Sequence, residues 1–326
     1  MPAASMWGCL MPLSPSALAP EASRRKPAIA LVIDRPDWHA RQLARAFSAR
    51  GATTIPVRLE ACGFDTRSRS GLVIPGFAER LPDAVLVRCV SGGSFQAVTL
   101  RLGLLHALGA NGVIVMNPAP AIERCVDKSM TSFLLARAGI PTPDTWAMES
   151  RSAAGALVRR ETRDGPLVLK PLFGSQGRGL RLVRTEDDLP DPSAMTGVYY
   201  LQRFVGVECD GFRDFRLLIS NGQVVTAMVR HASHWITNIK QGGRPIAAVV
   251  DAPIRQLAIA AAHAVGANFA GVDIVYDGDG HPTVLEVNSM PAWSGLQRVT
   301  KINIATVLAA DLCAAIARGA AHGGPG

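Results

Sequence analysis

Residues 271–288, GVDIVYDGDGHPTVLEVN, constrain the fold more tightly than any other stretch, because two β-branched runs flank a turn of alternating Asp and Gly. β-Branched residues favour extended backbone and Asp–Gly pairs form tight turns, which predicts strands over 272–276 and 283–288 joined as a hairpin. Side chains alternate across a strand, so Glu286 and Asn288 share one face while Leu285 and Val287 point the other way. Asp273 on the partner strand can join the polar face. Three hard oxygen donors in close array suit Mg²⁺, which takes one or two protein carboxylates and completes its shell with water or nucleotide phosphate. A solvated hairpin face would show the same alternation, and the pattern alone leaves both readings open. An EF-hand does not fit, since the Gly and Glu positions of its loop are not matched around Asp277, Asp279 and Glu286.

Upstream, strands and helices alternate. The apolar run 28–33 reads as a buried parallel strand, 37–50 as a helix ended by Gly51, and 53–59 as the next strand. Residues 84–90 form a further strand running into Ser91, Gly92, Gly93 and Ser94, followed by a helix over 95–108 and a strand over 112–116. This order predicts a small α/β domain with a mostly parallel sheet over 27–117, closed by Asn117, Pro118 and Pro120. The SGGS turn opens a helix at a strand's carboxyl end, where open α/β sheets bind ligands, although a tight turn needs the same glycines. A helix through Asp127, Lys128 and Leu134 is expected to end at Gly139, before Pro141 and Pro143.

Residues 166–183, PLVLKPLFGSQGRGLRLV, carry Lys170 on a strand that enters a loop with Gly174, Ser175, Gly177 and Gly179 and leaves it as a second strand. A Walker A loop has its Lys after the glycines and opens a helix, and a dinucleotide fingerprint runs strand, glycines, helix; neither order fits. A glycine-rich hairpin instead offers backbone N–H groups to phosphates, with Lys170 as a point charge beside them. A flexible surface hairpin is the alternative for this stretch alone. Residues 200–205, YLQRFV, form an apolar strand end of the kind that presents backbone groups and an apolar wall to an adenine. Asp214 and Arg216, two apart, share a strand face opposite Phe215 and Leu217. Arg230, His231 and His234 follow; the HxxH pair has no third ligand at a spacing that would hold zinc.

Composition narrows the partners. With 326 residues, 48% of them hydrophobic, the chain can bury the core of two domains. The net charge of +8 is dispersed and no aromatic-studded basic tract appears, so small anionic substrates rather than nucleic acid are expected. Six scattered cysteines without a CxxC read as reduced thiols in a cytoplasmic protein. Residues 1–26 read as a disordered leader and 319–326 as a flexible tail. The Arg24–Arg25 pair is followed by an apolar run that stops at Asp34, too short for a signal, and 100–116 is interrupted by Arg101, His106 and Asn111, so no membrane segment is expected.

Taken in order, Lys128 in ERCVDKSMTSFLLARAGIPTPDT, Lys170 with FGSQGRG, Gln202 to Val205, DFR at 214–216, TNIKQGG at 237–243, GVDI at 271–274 and LEVN at 285–288 resemble the ATP-grasp ligases. The likeness is closest to the RimK-like branch, which joins glutamate or a similar amino acid to a carboxylate, and spans roughly residues 85–312. It implies an ATP-grasp fold behind the small α/β domain: a small subdomain with a mobile glycine lid over 118–201, and a C-terminal subdomain over 202–318. By the same resemblance Lys128 and Lys170 contact ATP phosphates, and Gln202, Arg203, Phe204 and Val205 hold the adenine. Asp214, Arg216 and Asn238 would stand near the phosphates and Arg230 near the acyl group, with Asp273, Glu286 and Asn288 binding two Mg²⁺, or Mn²⁺ in their place. The implied reaction is amide formation through an acyl phosphate. Ribosomal-protein-modifying members carry an Arg where this chain has Ile236, and a His and an Arg where it has Lys240 and Gln241. HWITN at 234–238 resembles instead the branch that glutamylates pterin and deazaflavin coenzymes, which implies L-glutamate and a small acidic acceptor. A protein or peptide tail as acceptor, a non-catalytic ATP-binding regulator of the same fold, and a homo-oligomeric assembly remain open alternatives.

Overall fold

The computed structural model describes residues 25–322 apart from 79, 175, 196 and 207–210. Ser175 and most of the leader therefore lie outside the described residues. Strand β1 (Ala28–Val32), helix α1 (Trp38–Ser48) and β2 (Thr53–Val57) come first, then a short hairpin of β3 (Gly63–Phe64) and β4 (Leu72–Val73). Strand β5 (Ala84–Val87), α2 (Phe95–Ala110) and β6 (Ile114–Met116) follow. The longer strands form the expected parallel sheet, in the order β2-β1-β5-β6. Its two principal helices start where short polar side chains accept from the first-turn amides: Asp37 from Ala40 N at 2.7 Å and Ser94 from Ala97 N at 3.2 Å. Since β2 lies on one side of β1 and β5 on the other, the strand order reverses between β1 and β5, and their carboxyl ends flank a crevice.

The helix expected through Asp127 is two helices, α3 (Ala119–Val126) and α4 (Lys128–Arg137). Asp127 is extended and its carboxylate accepts from Ser129 N and Met130 N, so it caps the second helix instead of continuing the first. Next come β7 (Thr145–Met148), α5 (Arg151–Glu161), β8 (Leu167–Lys170), β9 (Arg181–Val183) and β10 (Tyr199–Arg203). They make an antiparallel sheet ordered β7-β10-β8-β9, with Ala154, Leu157 and Val158 of α5 buried against Leu167, Leu169 and Leu201.

A second antiparallel sheet, ordered β13-β12-β11-β14-β15, consists of β11 (Phe212–Ser220), β12 (Gln223–Ala232), β13 (Arg244–Ala247), β14 (Phe269–Tyr276) and β15 (Pro282–Asn288). Helix α6 (Ala252–Ala264) buries Ile254, Ala258 and Ala261 in the same core as Leu217, Val272 and Val284 of the sheet. Strand β14 starts before Gly271, not after it; a Cβ there would lie 2.9 Å from Pro291 Cβ, so glycine serves a close approach rather than a turn. Beyond the short α7 (Ser294–Gln297), helix α8 (Ile304–His322) returns to the beginning of the chain, where Leu308 and Leu312 share a core with Leu43 and Phe47 of α1. Fully buried Asn117 fastens the end of β6 to the second sheet: Nδ2 donates to Phe269 O (2.6 Å) and Ser289 O (2.5 Å), and Oδ1 accepts from Phe269 N (2.8 Å). The parallel sheet is thereby set in a fixed relation to the 271–288 hairpin.

Candidate active site

The two antiparallel sheets face one another across a cleft that encloses about 990 Å³ including open solvent. The sequence-predicted residues Lys128, Lys170, Gln202, Asp214, Arg230 and Glu286 all border it. So do Gly174 and Gly177 of the glycine loop, residues 203–205, Asn238 and Asp273. Gly177 has φ +70°, and a Cβ on it would lie 2.4 Å from Asn238 Oδ1, so the loop closes against residues 236–238 across the cleft. Gly179, φ +73°, turns the loop back against Pro171.

Pairing of β14 with β15 sets Asp273 opposite Glu286 and Gly271 opposite Asn288. Asn288 Nδ2 donates to Glu286 Oε1 at 3.0 Å. Asp273, 2% exposed, accepts from Arg216 Nε (2.6 Å) and a second Arg216 nitrogen (2.5 Å), and from Arg230 at 2.8 Å. Arg230 also clamps Asp214 through two hydrogen bonds, one from Nε at 2.8 Å. Burial alone would raise the Asp273 carboxyl, but the Arg216 and Arg230 guanidiniums outweigh it and hold it well below the usual carboxylate range. Burial alone would likewise lower Arg230, yet Asp273 and Asp214 outweigh it and keep the guanidinium charged.

Lys170, at the end of β8, donates to Gln202 Oε1 at 2.5 Å, and Gln202 is held in turn by Thr145 and Tyr200. Burial lowers the Lys170 ammonium, and Glu286 opposes that shift. Lys128 Nζ donates to Leu172 O (3.1 Å) and Gly174 O (2.9 Å), tying α4 to the glycine loop. Of the residues expected at an adenine, Gln202 is buried beneath Lys170, and the Arg203 guanidinium turns to Glu161 and Gly165 O. Phe204 and Val205 border the cleft, where Phe204 meets Trp235 edge-to-face with ring centroids 6.1 Å apart. Arg216 borders neither this cleft nor the cavity beside it and stands behind Asp273.

A second cavity, about 1980 Å³ including open solvent, meets the cleft at Lys128, Lys170 and Glu286 and runs towards the parallel sheet. Asn288 faces this cavity rather than the cleft. The sequence assigns no role of its own to Trp235 in the cleft wall or to His39, Arg88 and Ser294 in the cavity wall. The only signal for Arg88 was its position at the carboxyl end of a parallel strand. At the exposed hairpin tip Asp277, Asp279 and His281 gather within 4.8 Å, but Asp277 Oδ1 is committed to the turn amides of Asp279 and His281.

The donor chemistry fits a hard cation. A carboxylate has about four lone-pair positions, and the guanidiniums occupy three on Asp273, leaving one on Oδ1 of a residue that pairs opposite Glu286. Cleft, glycine loop, half-buried lysines and acidic hairpin together are the features of the ATP-grasp class of nucleotide-dependent ligases. The RimK-like ATP-grasp domain model matches residues 125–312, and the chain belongs to that family. It is 31% identical over 311 residues to the tetrahydromethanopterin:alpha-L-glutamate ligase of Methanosarcina acetivorans, a match that covers 83% of this chain and 94% of the relative. To the enzyme of the same name from Methanococcus maripaludis it is 37% identical over 201 residues, 60% of this chain and 68% of the relative. A probable alpha-L-glutamate ligase of Sodalis glossinidius is 34% identical over 229 residues, 66% of this chain and 76% of the relative. Among solved structures, the ATP-grasp ligase PsnB complexed with minimal precursor, Mg and ADP shares the fold at TM-score 0.68 and 21% identity, over 89% of this chain and 98% of that one. A RimK domain protein from Sphaerobacter thermophilus does so at TM-score 0.65 and 23% identity, over 87% and 98%. The chain is thus an ATP-dependent, amide-forming ligase, and its fold implies ATP and Mg²⁺ binding. Among the described residues no helix is long and apolar enough to cross a membrane.

Proposed function

We propose that this ligase adds L-glutamate to a carboxylate of a small acidic acceptor of the tetrahydromethanopterin kind, in the cytoplasm, with ATP and two Mg²⁺, or Mn²⁺ in their place. The observation that carries this reading is the meeting of two cavities at Lys128, Lys170 and Glu286. A nucleotide in the cleft then presents its γ-phosphate to a substrate in the larger cavity.

In this reading Phe204, Val205 and Trp235 wall the adenine end. Lys170, with its ammonium pinned by Gln202, and Lys128 meet the phosphates, and the lid over Gly174 to Gly179 excludes water. Glu286, Asn288 and the remaining Asp273 lone pair would hold Mg²⁺, which neutralises charge on the phosphates when bound. A carboxylate oxygen of the acceptor attacks the γ-phosphorus, the bond to ADP breaks, and an acyl phosphate results. The neutral amine of glutamate attacks the acyl carbon, inorganic phosphate leaves with the carboxylate oxygen, and the amine gives up a proton. Arg230 reaches the cleft wall with full charge and stabilises the developing oxyanion, while Arg216 acts by orienting Asp273.

An ADP-release screen of amino acids against carboxylate cofactors, with mass spectrometry of the product, tests the proposal. L-Glutamate with tetrahydromethanopterin is expected to give ADP and a product heavier by one glutamyl residue. ADP release with other amines only would overturn the assignment of glutamate.

A further inference from the structure

The crevice between the carboxyl ends of β1 and β5 takes no part in the scheme above, yet it opens onto the second cavity through Asp37, His39, Arg88, Cys89 and Gly92. Burial pushes the Cys89 thiol up to about 12, which removes it as a nucleophile at neutral pH. Arg88 is different in kind. Its backbone N–H still donates to Val32 O, but its side chain leaves the sheet, donates from one terminal nitrogen to Pro291 O at 2.9 Å and lies over the Trp293 ring at 4.4 Å.

Arg88 Nε and Trp293 Nε1 are the buried side-chain polar atoms without a hydrogen-bond partner among the described residues, and both are donors on neighbouring side chains. A buried donor left unmet is costly, and Arg88, the one of the two that borders the second cavity, asks for an acceptor. The nearby acid makes no hydrogen bond to either donor among the described residues. Asp37 Oδ1 caps α1 and its Oδ2 accepts from His39 Nδ1 at 2.9 Å. His39 Nε2 accepts from Trp293 N at 3.2 Å, so the imidazole carries its proton on Nδ1 and is neutral. Burial lowers Arg88 to about 10, still well above neutrality, and it remains a cation. By topology the crevice is where an open α/β sheet takes its ligand.

We infer that Arg88 binds a carboxylate of one of the ligase's acidic substrates at the crevice end of the second cavity. A guanidinium edge matches the two oxygens of a carboxylate as a lysine does not. The site holds a carboxylate distant from the one that reacts and so fixes which acid is presented at Glu286. The inference rests on the ligase reading. Two sources share this chemistry: a tail carboxylate of the acceptor and a carboxylate of the incoming amino acid.

Titration calorimetry on the full chain with ADP and Mg²⁺ present, using L-glutamate and tetrahydromethanopterin as probes, tests it. Arg88→Met is expected to weaken one probe by about ten- to a hundredfold, the range for a lost hydrogen bond to a charged group, with ATP affinity unchanged. Arg88→Lys is expected to fall between. Loss of tetrahydromethanopterin binding assigns the site to the acceptor and loss of L-glutamate binding to the amino acid. Wild-type affinity of Arg88→Met for both probes, or no binding of either by the wild-type chain, overturns the inference. If Arg88→Met fails to bind ATP, the decision falls to Arg88→Lys, which must weaken one probe while keeping ATP. ADP release and amide formation alongside an unaffected Arg88→Met would remove only the Arg88 site; no ADP release with any amine and acid would remove the ligase reading itself.

Discussion

Replacing Asp273 by Ala strands charge in the interior, and the geometry says how much. Asp273 is 2% exposed and receives three charge-assisted hydrogen bonds, at 2.6 and 2.5 Å from Arg216 and 2.8 Å from Arg230. Breaking a buried ion pair by removing one partner costs ~3–5 kcal/mol. Arg230 keeps its double hydrogen bond to Asp214, so most of the loss falls on Arg216, whose nearest remaining carboxylate is Glu286 at 3.8 Å. The expected cost therefore lies near the lower bound, ~3 kcal/mol. Urea unfolding followed by circular dichroism, with the slope checked against wild type, measures it. Arg216→Met removes the stranded guanidinium, so the double variant is expected to recover ~1–3 kcal/mol relative to the sum of the single changes. A cost below about 1 kcal/mol for Asp273→Ala, or strict additivity with Arg216→Met, would refute the network as described.

Asp273 also dictates the acid response. Its folded carboxyl is held below the ordinary value, so the stability it contributes is complete above the ordinary carboxylate pKa of about 4 and is lost as pH falls through the folded value. Asp273→Asn is expected to flatten that acid limb in unfolding curves taken at stepped pH. Gln202→Leu removes the acceptor of Lys170, a contact of the class worth ~1.5–3 kcal/mol, and Lys170 is already lowered by burial. The alkaline loss of ATP binding is then expected at lower pH than in wild type, and an unmoved profile would count against the pairing. Gly177→Ala forces a side chain into a left-handed residue against Asn238, so ATP affinity is expected to drop about tenfold, from ~1–2 kcal/mol of strain in the closed loop; wild-type ATP affinity would count against closure of the loop over the nucleotide.

The hairpin and the parallel sheet were legible because their signals are local. The β-branched runs around DGDG imply a hairpin, and β14 with β15 sets Asp273 opposite Glu286, but the register shifts between Asp273 and Ile274 and leaves Leu285 out of the ladder, bordering the cleft instead of pointing into the core. The runs at 28–33 and 84–90 mark buried parallel strands, though β5 stops at Val87 and Arg88 sends its side chain to Pro291 O. What escaped depends on pairings far apart in the chain. Arg230 reaches Asp273 only because β11 lies between β12 and β14. His39 meets Trp293 across 254 positions, and no periodicity near either residue announces it. Helix α8 is rich in Ala, which favours a helix without naming α1 as its partner. Asp127 misled for a local reason: its side chain competes for the amides that a continuous helix would use.

The most direct test of the ligase account follows one oxygen. With the acceptor found by the ADP-release screen labelled with ¹⁸O in its carboxylate, wild-type turnover with ATP and L-glutamate is expected to deliver one ¹⁸O to inorganic phosphate for each amide formed. Glu286→Ala is expected to abolish both products. Amide formation with unlabelled phosphate, or ADP release unaffected by Glu286→Ala, would contradict carboxylate activation at the 271–288 hairpin.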